Sequence, residues 1–165
     1  MNLKNVHFKE LLFLLVILVL LKFGINVIYD SGYFSPENIK YTFSTMKMES
    51  INTTEFGELL QTKNQNEPVL IYMGRITCPV CVDLLPKIQT TFSENQKLKN
   101  GKAVQQYYFD SKKYKSEESK ALRESINANY VPSVILIDSS EVFVFDADDI
   151  RESDFSSKIA NLLSY

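Results

Sequence analysis

Apolar residues are unevenly spread along this chain. They run almost unbroken from Leu11 to Leu21, LLFLLVILVLL, after the basic residues Lys4 and Lys9, and FGINVIY prolongs the run past Lys22. A stretch without a polar face has no side to turn toward water, so it reads as membrane-directed. From Phe8 to Tyr29 it is long enough to cross a bilayer as one helix, with Lys22 reaching toward the far interface along its aliphatic stem. A cleaved secretory signal shares the basic start and the apolar run but ends at a small-residue site, and INVIYDSGYF holds no A-x-A-like pattern. Residues 1–30 are therefore expected to form an uncleaved N-terminal transmembrane anchor, with a cleaved signal as the alternative. The basic N-terminal flank places that end inside and the remainder outside the cytoplasm, as in a single-pass cell-membrane protein.

Past Tyr29 the pattern changes to that of a folded domain. Residues 31–40, with Gly32 and Pro36, read as a linker, and residues 41–165 as one α/β domain. YTFSTMKM, Tyr41 to Met48, alternates loosely as a first strand, and Thr53 or Thr54 caps a helix carrying Phe56, Leu59 and Leu60 on one face. Pro68 introduces VLIYM, an apolar run suited to a strand buried on both faces. Cys81, Leu84, Leu85, Ile88 and Phe92 then recur with helical spacing, which predicts a helix starting at Cys78 or Pro79 and closing at Asn100 and Gly101. AVQQYYF reads as a strand, and Ser116 caps a helix bearing Leu122 and Ile126. YVPSVILID and EVFVFDA form a hairpin about Asp138 to Ser140, and Phe155, Ile159, Leu162 and Leu163 mark a final amphipathic helix. The order β-α-β-α-β-α-β-β-α predicts a mixed sheet with flanking helices.

Charge narrows the chemistry. With 18 basic and 20 acidic residues the formal net charge is -2, which gives no electrostatic footprint for nucleic acid. The chemistry that remains rests on two cysteines, Cys78 and Cys81, in the sequence CPVC. A zinc or iron–sulfur site needs four ligands, and the only histidine, His7, is remote, so no metal or other cofactor is expected unless two chains share one. A structural disulfide across so short a loop removes little unfolded-state entropy. A redox pair explains the setting better, because backbone N–H groups and the helix dipole stabilise a thiolate at a helix start. Cys78 occupies that position, and Cys81, one turn further in, is suited to resolving a mixed disulfide. Pro79 fits the first helical position, where a missing N–H costs nothing. Arg75, three residues before Cys78, either supports the thiolate, contacts substrate, or is a solvated surface cation. Asp146, Asp148 and Asp149 lack the glycine and distal glutamate of a calcium loop and read as turn and helix-start acids.

A buried strand, CxxC at a helix start, Pro86 eight residues after the first cysteine, and a later x-Pro opening a strand together resemble a thioredoxin fold, over about Tyr41 to Tyr165. That resemblance implies a cis bond at Val131–Pro132, lying against the cysteine pair, with the Val131 backbone binding an extended substrate. GRITCPVC also resembles the GR-x-(T/S)-C-P-x-C stretch of bacteriocin transport accessory proteins, membrane-anchored thioredoxin-like proteins of Gram-positive bacteria. Arg75, Thr77 and Pro79 fall within that stretch and are supporting candidates. Thioredoxins proper carry a buried carboxylate six residues before the first cysteine and a tryptophan just before it, where this chain has Tyr72 and Thr77. Pro79 and Val131 resemble the periplasmic disulfide oxidases instead, which implies an oxidant relative to thioredoxin.

The function expected is that of an extracytoplasmic thiol-disulfide oxidoreductase that forms or isomerises disulfides in exported peptides or proteins such as bacteriocins. Its partners would be the cysteine-containing substrate, the membrane and a separate redox protein, since the chain has no third cysteine. The alternatives are a surface disulfide reductase and a non-catalytic accessory subunit of a peptide exporter.

Overall fold

The structure, a computed structural model, describes residues 13–19, 35–62, 67–98, 101–138 and 141–164. The chain divides into two units, Met1–Ile39 and Lys40–Tyr165. Residues 13–19 are helical, and the rest of the expected anchor lies outside the described residues, as do His7, Asn100, Ser139 and Ser140. Among the described residues no helix is long and apolar enough to cross a membrane.

The expected strand at Tyr41–Met48 is a helix instead: α1 spans Pro36–Thr45 and only the two residues Glu49–Ser50 form a strand, β1. Ser35 starts the helix by accepting the Asn38 N–H at 3.1 Å, with Pro36 in the first position, where proline is pre-organised. The buried residues of α1 are Tyr41 and Thr45, four apart, so the true period is helical and the apparent alternation was misleading. Helix α2, Thr53–Gln61, starts at Asn52 in a reciprocal capping box with Glu55. Strand β2, Val69–Gly74, is buried along its whole length, and α3, Pro79–Glu94, follows it. The α3 helix stops six residues short of the expected end. Its apolar face finishes at Phe92, the Asn95 amide donates to the Thr91 carbonyl at 2.8 Å, and Gly101, at φ +82°, belongs to the separate turn beyond. Strand β3, Gln105–Asp110, and helix α4, Glu117–Ser125, capped by Ser116, come next. Strands β4, Ser133–Ile137, and β5, Val142–Phe145, complete the sheet. Two helices close the chain, α5, Ala147–Arg151, and α6, Phe155–Leu162. The acids at 146 and 149 make a second capping box at the start of α5.

The sheet order is β1-β3-β2-β4-β5, parallel between β1, β3 and β2 and antiparallel from β2 through β4 to β5. Because side chains alternate across a strand, β2 feeds two cores. Val69, Ile71 and Met73 pack with Phe56, Leu60 and Phe109 on the face of α2. Leu70 and Tyr72 pack with Leu84, Leu85 and Ile88 of α3 and with Phe155 and Ile159 of α6. Each such large side chain contributes roughly 1.5–3 kcal/mol by burial. The central strand is thus covered on both faces, and its C-terminal end delivers the chain to the cysteines.

Candidate active site

Strand β2 ends at Gly74, and the next four residues turn the chain into α3, with the Cys78 N–H donating to the Arg75 carbonyl at 3.1 Å. Cys78 is the N-cap of α3: its backbone is extended and its sulfur accepts the Cys81 N–H at 3.2 Å, the place an oxygen side chain ordinarily takes. Both cysteines are free thiols. Cys78 retains 9% exposure while Cys81 is completely buried, so substrate meets the first sulfur and not the second.

A second loop closes over the pair. Asn127, at φ 61°, ends the turn after α4, and the Ser133 hydroxyl donates to the Tyr130 carbonyl at 2.7 Å, fixing the segment between them. The Val131–Pro132 bond is cis, and the Cys78 thiol lies 3.7 Å from the Val131 carbonyl. Val131 is half-buried and Pro132 buried.

The supporting candidates fall into different roles. Pro79 occupies the first helical position and is exposed, Thr77 is exposed, and Arg75 is half-buried with its Nε buried and unpartnered among the described residues. The Arg75 carbonyl accepts the Cys78 N–H.

Beneath the cysteines lies a cluster that the pattern along the chain does not announce. Tyr72 of β2 and Tyr108 of β3 are register partners on one face of the sheet, and Tyr41 of α1 packs against both rings. The Tyr41 hydroxyl is 3.0 Å from that of Tyr72 and 3.5 Å from that of Tyr108, and Tyr72 donates to the Cys81 carbonyl at 3.3 Å. Burial drives all three phenols well above the ordinary tyrosine range, aided at Tyr72 by the charge of a Cys81 thiolate, so they stay protonated. The Cys81 thiol is pushed up to about 12, chiefly by burial. The available signal was Gly74: glycine inside a strand marks a close approach, here of the Tyr72 ring two residues before it.

No further ligand-type side chain joins the thiols, since no group of three or more His, Cys, Asp or Glu side chains suited to a metal occurs among the described residues.

No protein-family profile matches the sequence, and no curated protein matches it. Solved structures do. A thioredoxin from Trypanosoma brucei brucei aligns at 8% identity over 70% of this chain and 90% of its own, with a TM-score of 0.52. The first thioredoxin domain of mouse protein disulfide-isomerase A4 aligns at 15% identity over 69% of this chain and 71% of its own, with a TM-score of 0.47. A J-Trx1 fragment of ERdj5 aligns at 13% identity over 72% of this chain, with a TM-score of 0.46, and this chain spans only 50% of that fragment. The likeness to the trypanosomal protein, together with the strand order and the position of the cysteines at the start of α3, makes the fold thioredoxin-like.

Proposed function

We propose that the protein is a thiol-disulfide oxidoreductase that forms or isomerises disulfides in exported, cysteine-containing peptides. The observation that carries this reading is the asymmetry of the pair. Cys78 sits at the helix start beside the Val131 carbonyl, with an N–H on its sulfur, and Cys81 is buried one turn inside. In the oxidising direction a substrate thiolate attacks Cys78 in the Cys78–Cys81 disulfide and expels Cys81, which takes up a proton. A second substrate thiolate then attacks the substrate sulfur of the mixed disulfide and expels Cys78. The substrate loses two electrons and gains a disulfide, and the protein is left as the dithiol. Reoxidation falls to a separate two-electron oxidant, because the chain has no third cysteine.

Anchoring to the cell membrane, with the domain outside, is part of the same reading. It is supported by the apolar run and by residues 13–19, a helical stretch in which Phe13, Leu14, Leu15 and Leu18 are each more than half exposed. A bacteriocin as substrate is supported by the likeness of GRITCPVC to the transport accessory proteins. The test is oxidation of a reduced two-cysteine peptide by the oxidised protein, followed by mass spectrometry. Wild type is expected to convert one equivalent, and the Cys78→Ser, Cys81→Ser double variant none. Equal conversion by both would leave a non-catalytic exporter subunit as the better reading. In intact cells a membrane-impermeant thiol reagent is expected to reach Cys78, and protection from it would place the domain inside.

A further inference from the structure

Among the described residues past Met46, the one large hydrophobic side chain left exposed is Tyr130, at 80%. It directly precedes Val131, whose carbonyl lies 3.7 Å from the Cys78 sulfur. The backbone on either side of the ring is pinned. The buried Ala128 donates its N–H to the Arg123 carbonyl at 2.8 Å, and the Tyr130 carbonyl accepts the Ser133 hydroxyl at 2.7 Å. An aromatic ring carried on a fixed backbone offers apolar area to a partner and loses little freedom when it is covered.

Tyr130 also walls a cavity of about 530 Å³, whose other lining residues are Lys120, Arg123, Glu124 and Asn129. Charge is not the main means of recognition there. Lys120 and Glu124 lie 3.9 Å apart, each more than half exposed, and offset one another, while Arg123 donates its Nε to the Ser119 carbonyl at 3.2 Å. The ring is the aromatic surface of that lining, one residue along the chain from the carbonyl beside Cys78. Residues of an extended peptide advance by about 3.4 Å, close to the roughly 3.8 Å between neighbouring Cα atoms of this loop. A peptide whose cysteine reaches Cys78 alongside Val131 therefore brings a flanking side chain to Tyr130.

Resting on the oxidoreductase reading above, we infer that Tyr130 is a specificity-determining residue, and that its ring and the cavity it walls take an aromatic side chain next to the reacting cysteine of the substrate peptide. The contact forms in the encounter that precedes sulfur exchange, so it raises the rate of capture and leaves the exchange at Cys78 and Cys81 unaltered. The substrate class narrows accordingly to cysteine-containing peptides with an aromatic residue beside the cysteine.

The test uses two reduced two-cysteine peptides, identical except that the residues flanking each cysteine are phenylalanine in one and alanine in the other. Each is mixed with excess oxidised protein, and the second-order rate of peptide oxidation is read by mass spectrometry of quenched samples. One aromatic pair supports a preference of about fivefold for the phenylalanine peptide in wild type. Tyr130→Ala is expected to abolish that preference and Tyr130→Phe to keep it. Because each protein supplies its own ratio, a general change in reactivity cancels, and truncating so exposed a side chain leaves both cores intact. Equal rates for the two peptides in wild type would overturn the inference, as would a preference that survives Tyr130→Ala or is lost in Tyr130→Phe. If wild type oxidises neither peptide, the oxidoreductase reading itself fails, and the inference falls with it.

Discussion

Replacing Gly74 with alanine adds one methyl group to the floor of the site, and the structure gives the size of the effect. A Cβ at Gly74 would lie 2.3 Å from the Tyr72 hydroxyl oxygen, 2.5 Å from its ring carbon Cζ and 2.7 Å from the Tyr41 hydroxyl, where ordinary contacts are 3.4–4 Å. Tyr72 is fully buried and its ring is rigid, so it cannot swing aside without moving Tyr41, Tyr108 or the first turn of α3. Overpacking of this kind costs about 1–3 kcal/mol. Displacing the phenol also strains its hydrogen bonds to the Cys81 carbonyl and Tyr41, each worth about 1 kcal/mol. The variant is therefore expected to lose about 3 kcal/mol in urea unfolding followed by far-ultraviolet circular dichroism, with an unchanged m-value. Because the nearest contact is to the hydroxyl, Tyr72→Phe is expected to cost less in the Gly74→Ala background than in wild type, a coupling that a double-mutant cycle measures. Stability of Gly74→Ala within about 0.5 kcal/mol of wild type would refute the reasoning, because it would mean that the space is not filled.

Two further predictions concern the thiols and the phenols. Cys81→Ser is expected to accumulate mixed disulfides through Cys78 on non-reducing gels, and Cys78→Ser is not, since its remaining sulfur is fully buried; equal trapping by both would reverse the roles. The raised Cys81, Tyr41, Tyr72 and Tyr108 groups bind protons more tightly folded than unfolded, so their contribution is whole below the unfolded values, 9.0 for the thiol and 10.0 for the phenols, and is lost as pH climbs above them. Reduced protein should accordingly unfold at lower urea at pH 10.5 than at pH 8, and Tyr72→Phe should narrow the difference.

The sequence carried much of this architecture in its spacing. VLIYM has no polar interruption, so it was legible as the central strand, and the repeat from Cys81 to Phe92 fixed both α3 and the position of Cys78 at its start. Two parts were hidden for physical reasons. Strand β1 is two residues long, too short to hold a period, and the alternation at Tyr41–Met48 disguised a helix whose start lies at Ser35 and Pro36. The tyrosine cluster was hidden because a hydrophobicity pattern counts tyrosine as an apolar body and is blind to its hydroxyl. Tyr41, Tyr72 and Tyr108 come from α1, β2 and β3, and only the register of the sheet brings them together.

The central claim is that Cys78 and Cys81 act as one two-electron couple, and equilibration in graded redox buffers, with the oxidised fraction read from the mass added by alkylation, tests it directly. The account predicts a single Nernst transition with two electrons, both thiols protected together. The proposed oxidising role, resting on Pro79, Val131 and Tyr72 in place of a buried carboxylate, predicts a midpoint above the roughly −270 mV of thioredoxin and at or below the roughly −120 mV of a strong oxidant. A midpoint at or below thioredoxin's would turn the protein into a reductase, and cysteines that are alkylated independently, with no intramolecular disulfide at any potential, would contradict the account outright.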